Sequence, residues 1–206
     1  ISESSKRLLL KYVKKPVRVA YPFPHKEFFH IKSVGGTRNV LFIGRNDKTK
    51  GYMELVTAVK MLRCSDKRWN LYLIGECSKS VKGEEGIHPL GYVKHMEPYM
   101  RICTYFVHPA HADVTTPATV FEAMNAGIIP IISNELGQSE IFHKNRFDNL
   151  ILADNRSETI AKKLEELSWE DTRKLSYKAR SLSKKFREKE RLKMFKKEFE
   201  GLLASL

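Results

Sequence analysis

The sequence predicts an α/β fold in which a parallel, doubly wound sheet is covered by helices on both faces. Segments typical of strands alternate with amphipathic helical segments between residues 39 and 153. The strand segments are continuously apolar, for example "NVLFI" and "IIPII", as expected for strands buried on both faces. In such a sheet, ligands bind at the carboxyl ends of the strands where the strand order reverses.

The individual elements follow from periodicity and turn chemistry. We predict strands at 17–24, 39–43, 69–75, 87–93, 104–109, 128–133 and 149–153. We predict helices at 2–13, 51–63, 97–102, 117–126 and 139–143, and an all-helical region after 155 that ends with a helix at 188–205. Ser168 with Asp171 resembles a capping box. The last helix carries an apolar stripe at helical spacing: Leu192, Phe195, Phe199, Leu202 and Leu203.

Length and composition favour one globular domain with an extension. The chain has 206 residues, of which 42% are hydrophobic, so global disorder is excluded. No run reaches the roughly 20 apolar residues of a membrane span, and no signal peptide is visible. We therefore expect a cytoplasmic protein. The first residue is Ile rather than Met, so we also expect a piece of a longer protein. The three cysteines (Cys64, Cys77, Cys103) lack CxxC spacing and are expected to be buried free thiols.

The charge is strongly positive, at +13, and cations exceed carboxylates both before and after residue 161. A distributed excess of this kind favours an anionic partner: phosphates, nucleic acid or an acidic membrane surface. Nucleic-acid binding is the least favoured of these, because no recognition motif or interleaving of basic and aromatic residues accompanies the charge.

The segment "GRNDKTKG" at 44–51 lies between a predicted strand and a predicted helix. Arg45 and Lys50 flank a polar loop that opens onto a helix N-terminus, where unpaired N–H groups favour anions. This arrangement would bind a diphosphate favourably. The segment is neither a Walker A loop nor a GxGxxG motif. The alternative interpretation is an ordinary Asn-Asp turn with solvated basic residues.

Glu122 lies in the apolar segment "TVFEAMNAGIIPIIS", with no Lys or Arg three or four residues away. A buried carboxylate without a cation requires hydrogen bonds, and a vicinal diol such as a ribose donates two. The alternative is a solvated edge of the helix. Thr115 and Thr116, at the predicted helix start, offer hydroxyls for a cap or for a ligand.

A metal site is not expected. His108 and His111 flank a strand end with Asp113 nearby, but a convincing third ligand is lacking. No Asp-x-Asp pair is present to hold Mg²⁺ or Mn²⁺ against a diphosphate.

Taken together, these motifs resemble the donor-binding domain of family-four, retaining GT-B glycosyltransferases. The resemblance rests on "LFIGRNDKTKGYMELVTAV", "LYLIGE", "LGYVKHMEPYMRICTYFVHPA" and "TVFEAMNAGIIPIISNELGQSEI", which follow one another in the family's order. It implies a Rossmann-like sheet that forms one half of a GT-B fold, with C-terminal helices. The implied organisation is the end of an N-terminal domain and a linker at 1–36, a nucleotide-sugar-binding domain at 37–155 and a helical extension at 156–206.

The resemblance also implies residue roles. Arg45 and Lys50 would contact the donor diphosphate, and Gly44 would let the backbone approach it. Glu122 would bind the nucleotide ribose. The remaining donor-binding residues are Tyr92 and Val93, near the base, with Thr115 and Thr116.

The chain departs from the family pattern at position 114, where Val114 stands in place of the first signature glutamate. Asp113 is adjacent and would serve if the loop shifted by one residue, so the predicted catalytic residues are Arg45, Lys50 and Asp113. The resemblance implies a glycosyltransferase of polysaccharide or glycoconjugate synthesis that uses a nucleoside-diphosphate sugar and no metal cofactor.

The implied partner domain is an N-terminal GT-B domain that holds the acceptor. The basic surface and the last helix would suit an acidic membrane carrying a lipid-linked acceptor, whereas packing of that helix on the N-terminal domain is the alternative. A non-catalytic nucleotide-sugar-binding or scaffolding module is the alternative function, because of Val114.

Overall fold

The computed structural model describes residues 3–17, 19, 21–22, 24, 26–111, 117–135, 137 and 139–204. The predicted α/β class is confirmed. The strands are β1 (Asn39–Ile43), β2 (Asn70–Ile74), β3 (Ile87–Gly91), β4 (Tyr105–His108) and β5 (Ile129–Ile132). They form one sheet of order β3-β2-β1-β4-β5, and every neighbouring pair is parallel.

The strand order reverses between β1 and β4. The chain moves outward from β1 to β2 and β3, then returns to place β4 on the other side of β1. In register, Val40 lies beside Tyr105 and Leu41 beside Phe106. The carboxyl ends of β1 and β4 therefore meet at the switch point, and the loops that follow them form the crevice where ligands bind in such sheets.

Eight α-helices are described: α1 (Glu3–Leu9), α2 (Tyr52–Ser65), α3 (Glu97–Ile102), α4 (Ala118–Asn125), α5 (Glu140–Lys144), α6 (Ser157–Ser168), α7 (Thr172–Ser183) and α8 (Glu188–Leu203). Short 3-10 turns occur at Lys26–His30, Lys48–Lys50, Glu76–Ser80, Asp148–Leu150 and Lys184–Phe186. Helix α2 packs against α6, and α4 packs against α7.

The core lies between the sheet and these helices. All four residues of β4 and of β5 are buried, which explains why these strands are apolar without alternation. The largest fully buried side chains include Trp69, Tyr105, Phe42, Phe106 and Phe121. Burial raises the pKa of the Tyr105 phenol to about 12.

Two predicted strands are wrong. The described residues among 17–24 form no strand, and the prolines Pro22 and Pro24 explain this because they cannot donate to a ladder. At 149–153 the chain instead forms the 3-10 turn Asp148–Leu150 and a single bridge between Ile151 and Ile132. Asp148 and Asn149 favour a turn over an extended edge strand.

Two smaller expectations are also wrong. Ser168 ends α6, and its hydroxyl donates to the Glu165 carbonyl oxygen at 2.7 Å, so it does not pair with Asp171. Asp171 instead caps α7 alone by accepting from the amides of Arg173 and Lys174. Cys77 and Cys103 are buried free thiols as expected, whereas Cys64 is exposed on the outer face of α2.

The apolar stripe of α8 faces away from the core. Leu192, Phe195, Phe199 and Leu203 are each at least half exposed, and the Phe195 and Phe199 rings stack at 6.3 Å. No helix within the described ranges has the length and apolar character needed to cross a bilayer.

Candidate functional site

The loop after β1 is shaped by its own polar side chains. Asp47 begins the 3-10 turn by accepting from the Thr49 amide at 2.9 Å and from the Thr49 hydroxyl at 2.8 Å. The Asn46 side-chain oxygen accepts from the Tyr52 hydroxyl at 2.7 Å and from the Ser80 hydroxyl at 2.9 Å. The Asn-Asp pair therefore fixes the path of the backbone and leaves the Arg45 and Lys48 side chains outside this network.

The charges of this loop are three cations and one carboxylate. Arg45 is exposed and Lys50 is partly buried. Hydrogen bonds from Thr49, with help from the nearby charges of Lys50 and Arg45, lower the pKa of Asp47. Asp47 is thus ionised at neutral pH, and the loop keeps a positive balance. No ion pair holds the Arg45 guanidinium in the part of the chain that the structure describes.

Glycines bring the ends of β1 and β2 into direct backbone contact. The Gly44 amide donates to the Ile74 carbonyl oxygen at 3.0 Å. A Cβ atom on Gly75 would lie 2.5 Å from the Gly44 oxygen, and one on Gly44 would lie 2.7 Å from the buried Phe42 ring. Gly44 therefore has a packing reason to lack a side chain, whatever it does for a ligand.

The loops after β1 and β4 are joined at the switch point. The His111 amide donates to the Thr49 carbonyl oxygen at 2.7 Å, and the His111 ring lies 3.1 Å from a carboxylate oxygen of Glu54. Gly51 has a φ of 70°, and a Cβ atom there would lie 2.0 Å from the Pro109 carbonyl oxygen. The two loops thus form one continuous wall.

Helix α4 follows the loop after β4 and carries Glu122. Val120, Phe121, Ala123 and Met124 are fully buried, which fixes the orientation of the helix. Glu122 itself is partly buried. This lies between the two alternatives expected from the sequence, a buried carboxylate and a solvated edge of the helix. Asp113, Thr115 and Thr116, like Val114, lie outside the described residues. The predicted cap at Thr116 therefore has no structural description, and the helix begins after Pro117.

The loop after β3 carries Tyr92 and Val93. The Tyr92 side chain is 73% exposed, whereas Val93 is partly buried against the core. Partial desolvation, together with the Glu76 carboxylate, raises the pKa of the Tyr92 phenol. The Gly75 amide also donates to the Gly91 carbonyl oxygen at 2.8 Å. The loops after β2 and β3 therefore continue the wall on the side of β1 away from β4.

His108 lies in the core rather than in a ligand site. It is 3% exposed, and its ring stacks on Phe42 at 6.1 Å and on Phe106 at 6.3 Å. Among the described residues, no group of three or more His, Cys, Asp or Glu side chains is arranged to hold a metal ion.

Sequence reasoning missed three residues that build the site: Asn46, Thr49 and His111. Asn46 and Thr49 lie in the loop at 44–51, and their polar side chains could have indicated that they form hydrogen bonds there. His111 was considered only as a metal ligand, and its contact with Thr49 depends on β4 lying beside β1. A cavity of about 460 Å³ lies beside this loop, lined by Asn46, Lys48, Tyr52, Met53, Glu54 and Ser80.

Solved structures share this fold at low sequence identity. A glycosyltransferase from Rickettsia africae aligns over 98% of the chain and 62% of its own length, with a TM-score of 0.75 and 16% identity. A pneumococcal O-GlcNAc transferase, solved with UDP and GlcNAc, aligns over 98% of the chain and 44% of its own, with a TM-score of 0.68 and 16% identity.

A third structure is the C-terminal domain of a group 1 glycosyl transferase from Francisella tularensis. It aligns over 83% of the chain and 100% of its own length, with a TM-score of 0.60 and 18% identity. The chain thus spans less than two thirds of the two longer proteins above.

A search of curated protein sequences finds no significant match. The family model described as "Glycosyl transferases group 1" matches residues 25–189, which is most of the chain. Together with the Rossmann-like parallel sheet, this match shows that the chain belongs to the group 1 glycosyltransferases, a family with the GT-B fold.

Proposed function

We propose that the chain is the donor-binding half of a retaining, family-four glycosyltransferase, and that it binds a nucleoside-diphosphate sugar at the switch point. The observation that carries this proposal is the joined wall made by the loops after β1 and β4, with Arg45 exposed beside it. Crevices of this kind bind nucleotides in open α/β sheets. The UDP in the pneumococcal O-GlcNAc transferase structure is consistent with such a donor.

In this proposal each element of the wall binds one part of the donor. Arg45 and Lys50 contact the diphosphate, where the loop has a positive balance. Glu122 accepts hydrogen bonds from the ribose hydroxyls. Tyr92 and Val93 form the wall near the base, and Thr115 and Thr116 contribute hydroxyls at the start of α4.

The chemistry requires stabilisation of a leaving group. The bond between the sugar's anomeric carbon and the diphosphate breaks, and a bond to the acceptor hydroxyl oxygen forms as that hydroxyl gives its proton to the departing diphosphate. The anomeric configuration is retained. Negative charge gathers on the departing diphosphate. Arg45 and Lys50 stabilise this charge from the loop after β1, so a metal ion is not needed. Asp113 is proposed near the donor sugar, in place of the glutamate that Val114 replaces.

Acceptor binding is assigned to an N-terminal domain. Residues 1–36 would end that domain and link it to the donor domain at 37–155, and 156–206 would extend the donor domain with helices. The exposed apolar stripe of α8 supports this arrangement, because it would be covered by the partner domain. We therefore expect the 206-residue chain to bind the donor with little or no turnover.

The ribose assignment is tested by replacing Glu122 with Ala. We expect nucleotide affinity, measured by calorimetry with UDP, GDP and ADP, to fall by about 1–3 kcal/mol, the range for a lost hydrogen bond to a charged group. The free energy of unfolding should change little, because Glu122 is only partly buried. Glu158→Ala, on the exposed first turn of α6, is the matched control. Unchanged affinity in Glu122→Ala would overturn the assignment.

Metal independence is tested in the full-length enzyme. Transfer should continue in excess EDTA, because cationic side chains supply the stabilising charge. Complete loss of transfer on chelation, with recovery on adding Mg²⁺ or Mn²⁺, would contradict this mechanism.

A second candidate is a non-catalytic nucleotide-sugar-binding or scaffolding module. Val114 favours it, because an apolar side chain replaces the carboxylate expected near the donor sugar. Nucleotide-sugar binding without transfer by the full-length protein would indicate this function, whereas transfer would indicate the enzyme.

A further inference from the structure

A basic pocket lies on a different flank of the molecule from the switch point. It has a volume of about 350 Å³ and is formed by the turn after α5 and by α7. It is lined by Asn145, Arg146, Phe147, Tyr177, Lys178, Ser181, Leu182 and Lys185. Three of these side chains are cationic, and no carboxylate is among them.

The cations of the basic pocket differ from several cations elsewhere on the surface that each have a carboxylate partner. Lys60 pairs with Glu84, Arg101 with Glu97 and Arg156 with Asp154. By contrast, no ion pair engages Arg146, Lys178 or Lys185 within the described ranges. Lys185 is positioned by donating to the Asn145 side-chain oxygen at 3.2 Å.

The backbone at Arg146 is unusual for a side chain of its kind. Arg146 has a φ of 59°, the one positive φ at a non-glycine residue in the described part of the chain. It follows α5 at the position where helices commonly end with glycine. The Arg146 amide donates to the His143 carbonyl oxygen at 3.2 Å, and the Phe147 amide to the Phe142 carbonyl oxygen at 3.0 Å. These bonds form a Schellman motif.

The turn itself does not need an arginine. Its backbone bonds and the contact between the Phe142 and Phe147 rings, at 6.1 Å, hold the motif without the guanidinium. Glycine would adopt this conformation more easily. Strained backbone at a ligand-facing position points to a function for the side chain, and here that side chain lines the basic pocket.

We propose that the basic pocket binds a phosphate group, carried by a soluble phosphorylated molecule or by a lipid headgroup. Arg146, Lys178 and Lys185 supply charge-assisted donors, and the Tyr177 hydroxyl at the rim supplies a further one. The volume accommodates a phosphate group together with part of the molecule that carries it. The site is distinct from the diphosphate site proposed at Arg45 and Lys50.

The test uses the 206-residue chain carrying Arg45→Ala and Lys50→Ala in every variant. These two substitutions prevent pyrophosphate from binding at the proposed diphosphate site. Inorganic pyrophosphate is titrated by calorimetry. Adding Arg146→Gly and Lys178→Gln should weaken pyrophosphate binding about tenfold or more, because hydrogen bonds to charged groups are lost. Lys67→Gln, an exposed lysine on the α2 side of the sheet, removes one charge elsewhere and should have no effect.

The melting temperature separates binding from folding. Arg146→Gly should keep or raise it, because glycine suits the left-handed backbone. Loss of binding in a variant that stays folded would therefore report on the pocket. Equal pyrophosphate binding by the pocket variant and by Lys67→Gln would overturn the proposal.

Vesicles distinguish the two sources of phosphate. Phosphatidylcholine vesicles carrying phosphatidic acid, compared with phosphatidylcholine alone, are sedimented with the same proteins. Retention on phosphatidic acid that the pocket variant loses would indicate a lipid headgroup. Pyrophosphate binding without vesicle retention would indicate a soluble ligand. Absence of saturable binding to either probe would refute the site.

Discussion

The two ends of the parallel strands use charged residues in opposite ways. The amino edge is the side of the sheet where the strands begin, and the carboxyl edge is the side where they end. At the amino edge, Arg63 is 7% exposed and donates to the carbonyl oxygens of Lys67 at 2.6 Å and Trp69 at 2.5 Å. Its guanidinium also pairs with Glu85 at 2.7 Å. Nearby, Asp66 pairs with both Arg38 and Arg68. Guanidinium groups therefore hold the start of β2 to the end of α2.

At the carboxyl edge, the Asp47 carboxylate shapes the loop after β1 by accepting from Thr49, and neutral groups join that loop to its neighbours. Amide, hydroxyl and carbonyl groups of Asn46, Thr49 and His111 join the loops, and Gly51 allows them to touch. Arg45 is exposed and makes no hydrogen bond within this network. A cation whose donors bond to backbone or side-chain acceptors has a structural role, as Arg63 does. A cation outside such a network, such as Arg45, is available to a ligand.

The largest effect is expected at the amino edge. Arg63→Met should lower the free energy of unfolding by about 3 kcal/mol, because the buried Trp69 carbonyl oxygen and the part-buried Lys67 carbonyl oxygen lose their donor. Nucleotide affinity should not change. Arg68→Ala, an exposed partner of Asp66, is the control and should cost much less, because solvent screens an exposed ion pair. Urea unfolding measures both. If Arg63→Met kept its full stability but bound nucleotide more weakly, Arg63 would not have the purely structural role assigned to it here.

At the carboxyl edge, Gly51→Ala should affect both stability and binding. The new Cβ would collide with the Pro109 carbonyl oxygen, and the left-handed backbone adds strain, so about 2 kcal/mol of stability should be lost. Separation of the two loops should also weaken nucleotide binding.

Gly35→Ala is the matched control for this variant. Gly35 has a φ of 64°, but a Cβ atom added there would have no other atom within 4 Å, so only the backbone strain remains. Equal losses in the two variants, with unchanged nucleotide affinity, would show that the contact between the loops is unimportant. Urea unfolding and calorimetry give the two quantities.

The smallest effect is a pH dependence at the amino edge. Hydrogen bonds from Arg68, with Arg38 nearby, hold the pKa of the Asp66 carboxyl well below its usual range. Because the folded-state pKa is lowered, the stabilisation is complete above the unfolded pKa of about 4 and is lost as pH falls through the folded value.

Asp66→Asn should therefore be less stable than the original chain at pH 7, and the difference should shrink towards pH 2. Urea midpoints across this range measure it. Glu165→Gln, an exposed carboxylate on α6, should show no comparable trend. A difference for Asp66→Asn that stays constant with pH would show that this carboxylate does not hold the amino edge by its charge.

Much of the fold could be predicted from the sequence, because buried parallel strands leave long apolar runs. The failures occurred where that signal is weak. Residues 150–153 are apolar, yet the polar Asp148 and Asn149 before them turn the chain instead of extending it as a strand. At 17–24, Pro22 and Pro24 lack the N–H donors that a strand requires.

The candidate site was predictable only in part. The placement of Arg45 and Lys50 in the loop after β1 could be predicted, because that loop follows an apolar strand. The contact between Gly51 and Pro109 could not, because it joins residues far apart in the chain and depends on β4 lying next to β1. Strand order is decided by packing over the whole sheet. The roles of Arg45, Lys50, Tyr92, Val93 and Glu122 stay predictions until a nucleotide is bound.

The exposed stripe on α8 has a practical consequence for handling this protein. None of its apolar side chains belongs to the core, so the sheet and its covering helices owe little of their stability to the final sixteen-residue helix. In concentrated solution the same stripe is an exposed apolar surface through which copies of the chain would associate. Shortening the polypeptide after Arg187 should give a better-behaved sample for crystallisation and titration.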